Sequence, residues 1–79
     1  MDYYEKFRQN LKKIRSAEGI TAKELSEKAG LRQKKRIADI EDGRGKPTLD
    51  EVIAICEVLN EKLDNMLLAD AYVRVDWAG

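Results

Sequence analysis

The segment GLRQKKRIADIEDGRGKP, from Gly30 to Pro47, concentrates charge of both signs. Arg32, Lys34, Lys35 and Arg36 fall within five positions, and Asp39, Glu41 and Asp42 follow at once. Cations packed this closely suit the capture of a polyanion by charge and hydrogen bonding. A lysine donates to the N7 and O6 acceptors of guanine or to phosphate. The rest of the chain offers little for reaction chemistry. There is one cysteine and no histidine, so a disulfide framework within the chain and a Cys/His zinc site are both excluded. Cys56 lies in the apolar run VIAICEVL and reads as a small buried hydrophobe, with a reactive thiol as the alternative. Ser16 and Ser26 have no histidine to activate them. The five glycines form no phosphate-cradling loop ahead of a helix. Carboxylate pairs sit beside basic neighbours on helical segments, the pattern of a solvated face. The chain therefore reads as a non-enzyme with no cofactor and no metal.

The cationic cluster stands out because the whole chain is neutral, with 15 basic and 15 acidic residues. The balance is uneven: residues 1–46 hold 13 Lys/Arg against 8 Asp/Glu, and residues 47–79 hold 2 against 7. A polyanion would meet the first part of the chain. A length of 79 residues with 43% hydrophobic and 38% charged residues fits one small folded domain. So small a core is marginal alone, which makes a homodimer an expectation. No run of 18 apolar residues marks a membrane span, and MDYYEKFRQN lacks the apolar core of a signal peptide. The cytoplasm is the expected location.

Five helical segments must position the cluster. The first covers about residues 2–18, with Phe7, Leu11, Ile14 and Arg15 on neighbouring turns and Gly19 as its stop. The second opens on TAKE, where Thr21 and Glu24 form a capping box, and runs over about residues 22–29 to Gly30. The third covers about residues 33–42, with Ile37 and Ile40 inward and Gly43 next. GRGKP is a loop. The fourth opens on a second capping box, Thr48 with Glu51, and its apolar stripe is read as Leu49, Val52, Ile53, Cys56 and Leu59, with Asn60 as stop. The fifth covers about residues 63–70, with Leu63, Met66 and Leu67. Residues 1–70 form the domain. In the tail, residues 71–79, Tyr72, Arg74 and Asp76 alternate with Val73, Val75 and Trp77, a strand period that needs a partner strand. A loosely ordered terminus is the alternative.

The second and third segments are short and separated by a glycine-containing turn. That is the layout of a helix-turn-helix, whose second helix enters the DNA major groove. LKKIRSAEGITAKELSEKAGL followed by IADIEDGRGKPTLDEVIAICEVLNEKLDNML resembles the lambda-repressor/Cro-type helix-turn-helix family over about residues 7–68. The resemblance implies an all-α, five-helix domain that binds double-stranded DNA as a dimer. It places the recognition helix over residues 33–42, starting at Gln33, with Lys34, Lys35 and Asp39 at base edges and Arg36 at the flank. Arg44 and Lys46 fall in the loop that meets phosphate, and Thr21 and Lys23 stand at the start of the second helix. The resemblance also pairs Arg15 with Glu41. Glu41 lies about 40° from Ile37 around a helix, toward the core, where a carboxylate needs a partner. Asp39 points away from Ile37, and is read either as an acceptor for cytosine N4 or as a restraint on Lys35 four residues earlier.

Three departures from the family pattern bear on the site. Seven steps separate Gly30 from Ile37, where six are usual, so one extra residue lies near Arg32. Ala22 replaces a glutamine common at the start of the second helix. Glu61 and Lys62 stand where an apolar residue and a Ser/Thr cap are usual. The function expected is a sequence-specific transcriptional regulator, a repressor of prokaryotic or phage type, controlled by concentration, dimerisation or a partner protein. The alternatives are an antitoxin that binds a toxin through the tail, and a protein-interaction module without DNA binding.

Overall fold

The computed structural model of the protein describes residues 2–68. Among them five helices follow one another: α1 Tyr3–Ala17, α2 Ala22–Lys28, α3 Arg36–Glu41, α4 Leu49–Leu59 and α5 Leu63–Leu67. The fold is all-α, and none of these helices is long and apolar enough to cross a membrane. The expected strand over the tail lies outside the described residues.

Local chemistry sets most helix ends. The Asp2 carboxylate accepts from the Tyr4 and Glu5 amides at the start of α1, at 3.0 and 3.2 Å. Both capping boxes form: Thr21 Oγ accepts from Glu24 N–H while Glu24 accepts from Thr21 N–H, and Thr48 and Glu51 repeat the exchange. At the end of α3, Gly43 takes a φ of +80°, and the Arg44 amide turns back to donate to Asp39 O at 2.9 Å. That turn aims the following loop, residues 44–48, back across the start of α4.

The core joins Phe7, Leu11 and Ile14 of α1 to Leu25 of α2, Ile37 and Ile40 of α3, Ile55, Cys56 and Leu59 of α4 and Met66 of α5. Cys56 is buried there, and desolvation pushes its thiol pKa up. The α4 stripe differs from the sequence expectation. Ile55 is fully buried, while Leu49 and Ile53 are 68% and 46% exposed. Apolar residues occur almost all round α4, so the pattern alone does not pick a face. Packing selects Ile55 with Leu59 and Cys56, and Leu49 and Ile53 lie roughly 120–160° away from Ile55. Leu63 of α5 is likewise 40% exposed where it was expected to pack inward.

Two buried polar side chains fasten the helices. Asn10, on the same face as Phe7 and Ile14, donates to the Asn65 and Met66 carbonyls at 3.2 and 2.9 Å and so ties α1 to α5. Ser26 of α2 contacts α3, as described below.

Candidate nucleic-acid interface

The cationic cluster begins in the turn after α2. Gly30, with φ +71°, reverses the chain, and the Leu31 amide donates to Ser26 O at 2.9 Å. Residues 32–35 then form an open turn, and α3 starts only at Arg36. The expected recognition helix over residues 33–42 is therefore shorter, at Arg36–Glu41. Lys35 stands at the N-cap, adopts φ −99° and ψ 13°, and offers no side-chain oxygen to the helix amides. The residue added to the turn is spent in this segment. Gln33, Lys34 and Lys35 are exposed in the turn and, with Lys23 of α2, line one shallow surface depression. Lys23, Lys34, Lys35 and also Arg32 make no ion pair among the described residues.

Arg36 has a different setting. Its guanidinium forms a two-pronged ion pair with Glu51, Nε to Oε2 at 2.9 Å and Nη2 to Oε1 at 2.8 Å, and donates to Lys46 O at 3.0 Å. The side chain thus turns back over the loop toward α4. It passes so close to Gly45 that an added Cβ there would lie 2.7 Å from Arg36 Nη1. The Arg36 hydrogen bonds hold the Glu51 carboxyl below the usual carboxylate range, and Glu51 in turn raises the Arg36 pKa.

The remaining acids of the segment also meet arginines. Arg15 Nε donates to Glu41 Oε2 at 2.7 Å and Nη2 to Oε1 at 3.0 Å, while Nη1 reaches Ile20 O at 2.8 Å. Glu41 raises the Arg15 pKa through that hydrogen bond. Asp39 lies 3.5 Å from Arg44, whose amide turns back to Asp39 O, and makes no ion pair with Lys35. Arg44 also donates to Asp42 at 2.9 Å, yet its side chain remains 69% exposed. Lys46 Nζ sits 4.9 Å from the centre of the Tyr4 ring, a cation–π contact that leaves its charge in solvent. Thr21 is exposed but its hydroxyl is engaged in the α2 capping box.

Sequence reasoning did not single out Glu51 as the partner of Arg36, nor Ser26 or Tyr4. A signal existed for Ser26, a polar residue next to Leu25 on the helix that must pack against α3. No local signal existed for the other two. Chemically, the surface offers Lys23, Arg32, Lys34, Lys35, Arg44 and Lys46 to an anion, while Arg15 and Arg36 secure the scaffold beneath.

Comparison with known proteins follows the same lines. A family model described as a helix-turn-helix domain matches residues 9–73. Solved structures with a similar fold include the hypothetical transcription factor NHTF from Neisseria, at TM-score 0.78 and 20% identity over 86% of this chain and 77% of that one. The restriction-modification controller protein C.AhdI from Aeromonas hydrophila gives TM-score 0.73 and 22% identity over 80% and 94%. The clp gene regulator ClgR from Corynebacterium glutamicum gives TM-score 0.75 and 20% identity over 96% of both chains. At these identities the likeness is one of fold. No curated protein sequence matches significantly.

Proposed function

The chain belongs to the helix-turn-helix domain family, and from that premise we propose that it is a DNA-binding transcriptional regulator. It reads the major groove in a sequence-specific way, as a homodimer, and acts as a repressor. One observation carries the reading. Lys23, Lys34 and Lys35 stand together, exposed and without acidic partners among the described residues, at the junction of α2 and α3, whereas Glu41 and Glu51 are each turned onto an arginine. The charge alternation in the sequence thus becomes a separation in space. Cations project outward, and the best-buried acids stay within the scaffold.

The geometry supports a division of labour. Gln33, Lys34 and Lys35, carried by the turn ahead of α3, meet base edges and phosphates. Arg44 and Lys46, on the loop after α3, meet the backbone. Asp39 acts through Arg44, moderating its charge, and is not a base reader. Arg36 is a positioning residue, and Thr21 contributes its capped helix end and not its hydroxyl. Lysines on a turn suit phosphate more than bidentate base contact, so electrostatic affinity is large and strongly salt-dependent.

A dimer is supported by the apolar side chains that remain outside the core. Tyr3 and Tyr4 at the start of α1, Leu49 and Ile53 of α4, and Leu63 and Leu68 at α5 are 40–68% exposed. Tyr3, Tyr4, Leu49 and Leu63 line one groove with Phe7, Pro47, Val52 and Leu67, and none of the cations of the α2–α3 junction belongs to it. A second copy seated there by two-fold symmetry would present two recognition segments, suited to half-sites about 34 Å apart. The antitoxin alternative rests on the tail, outside the described residues.

The test is a gel shift of the purified protein with the DNA upstream of its own gene, over a salt series. Wild type is expected to bind, with log affinity falling steeply with log salt. The Lys34→Ala/Lys35→Ala variant is expected to bind more weakly, with a slope reduced by about 2 per protomer. A folded protein that shifts no DNA at low salt would overturn the reading.

A further inference from the structure

We infer that Ser26 is a positioning residue for DNA recognition: from α2, its hydroxyl caps α3 and so fixes where Gln33, Lys34 and Lys35 stand. The inference rests on the DNA-binding reading above.

A helix start leaves amides without partners inside the helix. In α2 and α4 the helix's own threonine serves, Thr21 or Thr48. In α3 the N-cap is Lys35, which offers nothing. The Arg36 amide donates to Gln33 O at 3.1 Å and the Asp39 amide to Lys35 O at 3.0 Å. The Ile37 amide is buried, and it donates to Ser26 Oγ at 3.1 Å. Ser26 is itself fully buried. Because its oxygen accepts from Ile37, its own proton is committed to Ala22 O, at 2.9 Å. A hydroxyl alone meets both demands, giving one proton to α2 and one lone pair to α3. The bond joins the backbones of the two helices across a turn that carries the exposed cations. Where α3 begins decides where that turn points.

A rival account gives Ser26 no more than small size at a helix–helix contact. Ser26→Ala separates the two, since alanine is as small but has no hydroxyl. The first measurement needs no DNA: amide hydrogen exchange followed residue by residue. Ser26→Ala is expected to speed exchange at Ile37 about tenfold beyond any change at the core-helix Leu11 and Leu59 amides, which report global opening. The second uses a duplex that the wild-type protein selects from a random pool, against a scrambled duplex of the same composition. Both are measured at a temperature where circular dichroism shows each protein fully folded. Ser26→Ala is expected to lose about tenfold on the selected duplex and less than twofold on the scrambled one. Asn10→Ala, which weakens the α1–α5 tie, is the control: it lowers stability and leaves the ratio of the two affinities intact. Unchanged Ile37 exchange would overturn the cap. Faster exchange with an unchanged affinity ratio would reduce Ser26 to a structural residue and overturn its positioning role. A wild-type protein that selects no duplex would overturn the DNA-binding reading, and the positioning role with it, whatever the exchange shows.

Discussion

Arg15→Met would remove the cation that faces Glu41. The two side chains are 16% and 6% exposed, and their contact is two-pronged. Removing one partner of a fully buried pair costs about 3–5 kcal/mol, while exposed pairs contribute less than about 1 kcal/mol. Glu41 lies near the buried limit and Arg15 is a little more open, which places the cost at about 2–4 kcal/mol. The lost hydrogen bond to Ile20 O falls within that range. A domain of this size has roughly 4–12 kcal/mol in all. Each kcal/mol moves its melting temperature by about 4–8 °C, so a fall of roughly 8–32 °C is expected. The assay is a double-mutant cycle by thermal and urea unfolding at neutral pH, with Arg15→Met, Glu41→Leu and the pair. The double variant is expected to recover at least half of the single-variant loss, because no charge is left stranded in the core. A loss below about 0.5 kcal/mol for Arg15→Met, or single effects that simply add, would refute the claim that this pair holds α3 to α1.

Three further outcomes follow from neighbouring contacts. Because Arg36 lowers the folded-state pKa of Glu51, their contact stabilises fully above the ordinary carboxylate range, about pH 4.3, and fades as pH falls through the lowered folded value. Glu51→Gln is therefore expected to melt below wild type at pH 7, with the gap narrowing as the pH falls below the ordinary carboxylate range, as thermal scans from neutral to acid pH would reveal. Gly45→Ala puts a Cβ 2.7 Å from Arg36 Nη1, the far end of a flexible side chain, so the guanidinium tip must shift while Nε and Nη2 keep their partners Glu51 and Lys46 O. Stability is expected to change by less than about 0.5 kcal/mol, and a large fall in the urea midpoint would contradict it. Leu49→Asp with Leu63→Asp places like charges in the apolar groove lined by Tyr3 and Tyr4; sedimentation should then give monomers with wild-type helicity, whereas persistent dimers would place the interface elsewhere.

The legible parts of this fold are those decided within a few residues. TAKE and TLDE announce the starts of α2 and α4 because a threonine and a glutamate three positions on complete each other's hydrogen bonds. Gly19, Gly30 and Gly43 mark helix ends because each takes a positive φ there. The start of α3 was not legible, since the hydroxyl that accepts from its Ile37 amide comes from Ser26, 11 residues earlier. The inward turn of Arg36 was hidden for a similar reason. Its position on the helix suggests a DNA flank, but its partner sits 15 residues later, in a carboxylate already assigned to a cap. On α4 the pattern failed through excess: with Leu49, Val52, Ile53, Ile55, Cys56 and Leu59 all apolar, periodicity leaves several faces equally plausible, and only packing against α2 and α5 chooses. For the site, the types of the outward cations were readable, but their placement on a turn was not.

The turn that carries Gln33, Lys34 and Lys35 lies outside the five helices, and its lysines make no ion pair among the described residues. Exposed substitutions of that kind usually change stability by less than about 0.5 kcal/mol. The face that would choose a target can thus drift freely, while Arg15, Ser26, Glu41 and Glu51 keep the frame in register. Descendants of such a protein could acquire new targets by single substitutions without first losing the ability to fold.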